Sequence, residues 1–240
     1  MTERLAKFIA RSGVCSRRDA EQIIKQGRIT VNGNIISTPA FNVEGSEKIL
    51  LDGEKISGPE KTRLWLYHKP AGLITTHKDT HNRETVFAHL PKSMPRVISV
   101  GRLDLNSEGL LLLTNSGELS RALELPQNAW KRRYKVRVHG FVLPQKIAEL
   151  TKGVTIDGVQ YGPVQIEVES TKGSNSWLLV TLSEGKNREI RKLMKSINLE
   201  VARLIRISYG PFQLGNLPKG EVKEVPQKVL HEQLGSLIKL

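Results

Sequence analysis

No run of consecutive apolar residues in this 240-residue chain exceeds four; the longest are Leu64–Tyr67, Leu110–Leu113 and Trp177–Val180. A membrane-spanning helix needs roughly 20 such residues in succession, so no transmembrane segment is expected. The pattern fits short buried strands and amphipathic helices separated by frequent turns. Met1-Thr2-Glu3-Arg4-Leu5 lacks the apolar block of a secretory signal. Charged residues make up 25% and apolar residues 38%, an ordinary soluble composition that excludes collagen-like, mucin-like and wholly disordered chains. At ~150 residues per domain, one large domain or two small ones are expected. The single cysteine, Cys15, can make neither an internal disulfide nor a Cys-rich zinc site, and a reducing, cytoplasmic setting is expected.

Charge points to a partner. Lys and Arg number 37 against 24 acids, a net charge of +13. Such an excess favours a polyanion by releasing its counterions. Nucleic acid is preferred over a membrane surface, because no long basic amphipathic helix with bulky aromatics is present.

Residues 1–60 read as a small separate unit. Leu5, Phe8 and Ile9 recur at helical spacing, and Ser12-Gly13 ends that helix. Ser16, three residues before Asp19, caps a second helix whose apolar stripe is Ala20, Ile23 and Ile24 and whose stop is Gly27. Asn32-Gly33 between apolar stretches is a hairpin signal, since both residues accept positive φ. A further strand covers Lys48–Leu51. Arg17 and Arg18 fall in the first turn of the second helix. Cations there oppose the helix dipole, an arrangement that makes sense where a phosphate sits on the free N–H groups.

Residues 62–230 mix strands and helices without regular βαβ alternation, so the fold class is α+β. Strands are expected over Arg63–His68, Leu110–Thr114, Arg133–His139 and Trp177–Leu182, and helices over Glu118–Leu125 and Arg188–Ile197. Dinucleotide and nucleoside-triphosphate fingerprints are absent, as is a Gly-x-Ser-x-Gly elbow. His77, His81 and His89 lie in a stretch that reads as loop, without a zinc motif around them, so no metal is expected. Asp104 stands between Gly101-Arg102 and a polar turn that enters the apolar Leu110–Leu113 strand. A carboxylate so placed is a nucleophile, a base or a turn former. Lys186, Arg188, Arg191, Lys192, Lys195, Arg203 and Arg206 crowd the stretch 185–206, and Trp130-Lys131-Arg132-Arg133 adds a second basic run. Both read as the phosphate-facing rim of a cleft.

Two resemblances sharpen this reading. Arg4–Ala10, Ser16–Ile24 and Gly27–Gly33 resemble the S4 RNA-binding domain, which implies docking on structured RNA, with Arg17, Arg18 and Arg28 as contacts. Gly101-Arg102-Leu103-Asp104, followed by Ser107–Asn115, resembles the hallmark of pseudouridine synthases of the RsuA/RluA superfamily. His68–Gly72, Tyr134-Lys135-Val136 and Glu184–Leu193 lie around it in family order, and Val201–Gly210 with Leu217–Gly220 is similar to the RluB type within the RsuA/RluB/RluF branch. Ser116 and His68 depart from that pattern, in which Asp and Asn stand at these places.

The resemblance implies a small S4 domain (1–60) and a larger synthase domain (61–240) built on a mixed, largely antiparallel sheet. It implies isomerisation of a uridine in a structured ribosomal RNA hairpin, of the large subunit by the RluB-like tail, with no metal and no small-molecule cofactor. Small-subunit specificity is the neighbouring alternative. A non-catalytic S4 assembly factor, or an S4-bearing methyltransferase or aminoacyl-tRNA synthetase, is a more distant one. Asp104 is the implied catalytic carboxylate, acting either at C1′ as nucleophile or as the base that makes a glycal. Arg191 is its implied ion-pair partner, which would fix its direction. Tyr134 would stack on the base and help remove the C5 proton, and Arg102 would fill the space left by the extruded nucleotide. Lys69, Lys186, Arg188 and Lys192 are assigned to RNA contact, and a monomer is the default.

Overall fold

The computed structural model describes residues 2–235; the expected domain limits at 1 and 240 lie outside it. In the first unit, helices Leu5–Arg11 and Arg17–Lys25 pack on strands Ile29–Val31, Asn34–Ile36 and Ile49–Leu51. Ser16 caps the second helix by accepting from the Asp19 N–H, which contributes about 1 kcal/mol. Asn32 and Gly33 take φ of 50° and 85°, the pair of positive values that a two-residue hairpin turn requires. Leu5, Ile9, Ile24, Ile29 and Ile49 are buried together, and their cluster is separate from the cores of the second unit. Lys7 pairs with Glu118, and Lys78 with Asp19 at 2.9 Å, so two exposed ion pairs bridge the units.

The second unit is organised by a nine-stranded sheet. Its main path runs Gln165–Lys172, Asn175–Leu182, Arg132–His139, Glu200–Tyr209, Glu108–Thr114, Leu64–Lys69, Val222–Glu224. Neighbours on this path are antiparallel except Glu200–Tyr209 against Glu108–Thr114. The four-leucine run has a plain cause: every residue of Glu108–Thr114 is buried. Leu111 and Leu113 enter one core, beneath the helix Glu189–Ser196, while Leu110 and Leu112 enter the other, beneath Gly117–Glu124 and Gln227–Leu234. A strand covered on both faces reads as a continuous apolar run. Tyr134, Val136 and Val138 are buried while Arg133, Arg137 and His139 are exposed, as alternation demands.

The structure adjusts several boundaries. The leucine strand begins at Glu108, and the helix expected from Arg188 begins at Glu189 because Arg188 itself has φ of 51°. Ser116 caps Gly117–Glu124 by accepting from the Leu119 N–H, a role that Asp fills equally well. His68 uses Nδ1 to contact the Leu217 carbonyl at 2.7 Å. The helices Pro144–Leu150 and Gln227–Leu234 and the strands Gln165–Lys172 and Glu200–Tyr209 were not among the expected elements.

Candidate active site

The loop Gly101–Ser107 links strand Ile98–Ser99 to strand Glu108–Thr114, and its backbone is held from several sides. Gly101 N–H donates to Glu124 Oε1 at 2.9 Å, and Thr75 Oγ1 donates to the Leu103 carbonyl at 2.9 Å. Gly72 N–H reaches the Leu105 carbonyl at 2.8 Å, and Ser107 N–H closes a turn on the Asp104 carbonyl at 3.0 Å. Beneath the loop lies Lys69, fully buried. Its ammonium donates to the carbonyls of Pro70, Asp104 and Ser107 at 3.0, 3.1 and 2.9 Å, with the Leu105 carbonyl at 3.4 Å. Lys69, expected to contact RNA, instead faces inward and organises the loop, and its buried side chain presents no surface to RNA.

Asp104 opens onto a cleft of about 530 Å³. Leu103, Leu182, Ile190 and Leu204 give that cleft an apolar slot, and Tyr134 stands beside them. Arg102, Lys186, Arg188 and Arg191 line the same cleft. A slot of this kind suits a flat, extruded base, and the cations around it suit its phosphates. The Asp104 carboxylate is free of hydrogen bonds and ion pairs among the described residues, while its carbonyl is the atom that Lys69 holds. The carboxylate is thus available to a ligand, and the backbone behind it is fixed.

Arg191 departs from expectation in its partners. It does not form an ion pair with Asp104; its Nη1 donates to the Val201 carbonyl at 3.0 Å and its Nη2 to the Asn106 carbonyl at 3.2 Å. Asp104 still acts on it through space: burial and the nearby Arg188 lower the Arg191 pKa, and the Asp104 charge opposes them. Arg191 therefore steers the carboxylate by bracing the loop two residues further on and by its field. The reason is geometric: a strand carbonyl at Val201 and a loop carbonyl at Asn106 take up the guanidinium.

The remaining assigned residues divide by location. Lys192 is half-buried on the helix outside the cleft lining, and Arg17, Arg18 and Arg28 lie on the first unit. Arg17 is loosely paired with Glu21 at 3.4 Å, and Arg28 is bound to Asp52 at 2.5 Å. Of the expected rim, Arg203 is bound to Glu108 at 2.7 Å and Arg206 is buried, so neither is an open rim charge. Glu124 and Glu189 were not anticipated in the cleft wall. Glu189 is buried, which raises its pKa, and one of its oxygens accepts from the Lys186 N–H at 2.9 Å. Glu189 falls inside the Glu184–Leu193 motif but in a basic run that reads as surface, and nothing local marks Glu124, near the end of its helix, as a cleft residue.

Lys69 yields a pH prediction. Burial pushes its pKa down to about 8, with the Asp104 and Glu108 charges acting in the opposite direction. Above that pH the ammonium becomes a neutral amine and the loop carbonyls lose their charge-assisted donor. Single-turnover catalysis is expected to fall above about pH 8. Stability moves the other way. The folded value lies below the ordinary 10.5, so in that window the unfolded chain binds more protons and this group adds stability as pH rises. The signature is a rate that falls with alkali without a parallel loss of Tm from this group. A flat rate up to about pH 10 would remove the Lys69 charge from the mechanism.

Comparison with known proteins identifies the family. The family model for RNA pseudouridylate synthase matches residues 63–196, and that for the S4 domain matches residues 3–57. The chain is 51% identical over 233 residues to an uncharacterized RNA pseudouridine synthase of Rickettsia felis, covering 96% of this chain and 100% of the relative. It is 42% identical over 226 residues to ribosomal large subunit pseudouridine synthase B of Yersinia pestis, covering 92% of this chain and 70% of the relative. A crystal structure of a pseudouridylate synthase shares the fold with a TM-score of 0.69 at 24% identity, covering 96% of this chain and 99% of that one. The chain belongs to the RNA pseudouridylate synthase family, with an S4 domain preceding the synthase domain.

Proposed function

We propose that this RNA pseudouridine synthase isomerises a uridine in structured large-subunit ribosomal RNA, with Asp104 as its nucleophile. The observation that carries the catalytic assignment is a free carboxylate on a braced loop, facing an apolar slot beside Tyr134. The large-subunit assignment rests on the likeness to ribosomal large subunit pseudouridine synthase B.

The chemistry needs few groups. The target uridine leaves its stack and enters the slot. Asp104 attacks C1′, the N1–C1′ bond breaks, and the uracil leaves with the bonding pair on N1. The base turns within the slot, C5 attacks C1′, and the carboxylate is released. The C5 proton then departs, with the Tyr134 hydroxyl positioned to assist, and N1 takes up a proton. Atoms and electrons balance within the substrate and water. Arg102 lines the cleft beside Asp104 and is suited to occupy the gap left in the RNA stack. Pseudouridine mapping of ribosomal RNA from cells with and without the protein tests the assignment. One large-subunit signal should vanish; a missing signal confined to the small subunit would refute the subunit, and an unchanged map would refute the substrate class.

The S4 unit supplies docking. Arg17 is 60% exposed at its side chain, and Arg17 and Arg18 open the helix Arg17–Lys25. Replacing Arg17 and Arg18 with Ala should weaken RNA binding and flatten its logarithmic salt dependence by about 0.7–0.9 for each phosphate no longer neutralised. The single-turnover rate at saturating protein should stay unchanged. An unaltered salt slope would place the docking surface elsewhere.

A further inference from the structure

The cleft contains a buried cation that the steps above leave without a task. Arg206 lines the cleft yet is only 3% exposed. It is the register partner of Tyr134 on the neighbouring antiparallel strand, and such partners share a face of the sheet. Its side chain therefore emerges next to the tyrosine that flanks the slot. Nε donates to the Leu110 carbonyl at 2.7 Å, whereas Nη2 is buried with no hydrogen-bond partner. Glu108, the adjoining acid on the parallel strand, is already held by Arg203 at 2.7 Å and Lys219 at 2.6 Å. A guanidinium does not shed its proton, and a buried charge without a counter-ion is costly.

A second guanidinium shares its aromatic neighbour. Arg132 and Arg206 place their Cζ atoms 4.6 and 5.2 Å from the Tyr209 ring centroid. Arg132 is satisfied: Nη1 donates to the Glu184 carbonyl at 2.6 Å and Nη2 to the Tyr209 hydroxyl at 2.8 Å. The ring offsets part of the burial cost for both cations but offers Nη2 of Arg206 no acceptor. Two cations on one ring attract an anion, and a neutral carbonyl would leave their charge uncompensated.

We propose that Arg206 binds a backbone phosphate of the RNA strand carrying the extruded uridine, with Arg132 framing the same subsite. The proposal rests on the functional reading above and adds to it a residue that positions the nucleotide by its phosphate. The guanidinium fork matches a phosphate in a way that an ammonium does not. The competing view makes Arg206 a strut for the Leu110 carbonyl alone.

The test uses the full chain and an in vitro transcript of large-subunit ribosomal RNA, with binding measured from ~50 to ~200 mM salt. Arg206→Met should bind about tenfold more weakly and show a logarithmic salt slope shallower by about 0.7–0.9. Arg206→Lys should recover the slope but not the full affinity. A wild-type slope in a folded Arg206→Met protein overturns the proposal even if activity is abolished, since a strut or a neutral contact would behave that way. If Arg206→Met does not fold, wild-type protein and Arg206→Lys are compared on RNA carrying single neutral methylphosphonates across the bound segment. One position should weaken wild-type binding about tenfold and the Lys variant less; equal weakening at every position overturns the proposal. Pseudouridine formation by wild-type protein is read separately on the same transcript. Its absence counts against the functional reading, whereas the slope and the methylphosphonate pattern judge Arg206.

Discussion

Asp104→Asn is expected to leave RNA affinity and Tm at wild-type values and to lower pseudouridine formation by roughly 10³-fold or more. The substitution preserves shape and removes the charge and the nucleophilic oxygen pair, so both the attack at C1′ and a base role are eliminated. Folding should not suffer. The Asp104 carboxylate braces nothing; the loop is held through backbone carbonyls, by Lys69 from below and Arg191 from the side. A surface-like substitution of this kind usually changes stability by no more than about 0.5 kcal/mol. Three measurements together make the case: melting temperature, binding to the transcript, and single-turnover pseudouridine formation. Near-wild-type catalysis would reduce Asp104 to a turn former, and a large drop in Tm would show that the missing activity reports unfolding.

Much of this site could be read from residues that act locally. Asn32-Gly33 announces its hairpin because only a few residue types accept two positive φ values, and Ser16 announces its helix because a cap needs one side-chain oxygen and one N–H nearby. The leucine run announces a strand buried on both faces. Elements with weak local signatures escaped. Gln165–Lys172 is an edge strand with almost every side chain in water, so it has no apolar alternation to display. Pro144–Leu150 carried a readable signal, a proline at its first turn with Ile147 and Leu150 at helical spacing. Glu200–Tyr209 is interrupted by register shifts against Arg132–His139, which break its period of two. The tertiary roles of Lys69 and Arg191 depend on carbonyls of a loop more than 30 residues away, and no local pattern encodes that. Lys69 reads as a surface charge until the loop is placed over it.

The second large effect is expected at Gly109. This residue has φ of +102°, a conformation that L side chains rarely adopt. It pairs with Lys69 on one side and, in the sheet's parallel contact, with Arg206 on the other. A Cβ here would lie 2.7 Å from the Arg206 nitrogen and 2.9 Å from its carbonyl carbon, and closer still to its oxygen. All three are backbone atoms of a paired strand, so no side-chain rotation relieves the overlap. Gly109→Ala should therefore combine conformational strain with a forced separation of two central strands, about 3–5 kcal/mol in total. For a domain of this size Tm should drop by roughly 10 °C. Catalysis should fall beyond what unfolding explains, because the displaced neighbours are Lys69, which holds the Asp104 loop, and Arg206, which lines the cleft. Gly117→Ala is the control: a Cβ there would meet nothing nearer than Ile98 Cδ1 at 4.0 Å, on a helical backbone without positive φ. It should be neutral or stabilising by up to about 1 kcal/mol. Equal melting temperatures for the two variants would mean that the strands can part at Gly109 without cost, and the close approach would then not be what seats the Asp104 loop against the sheet.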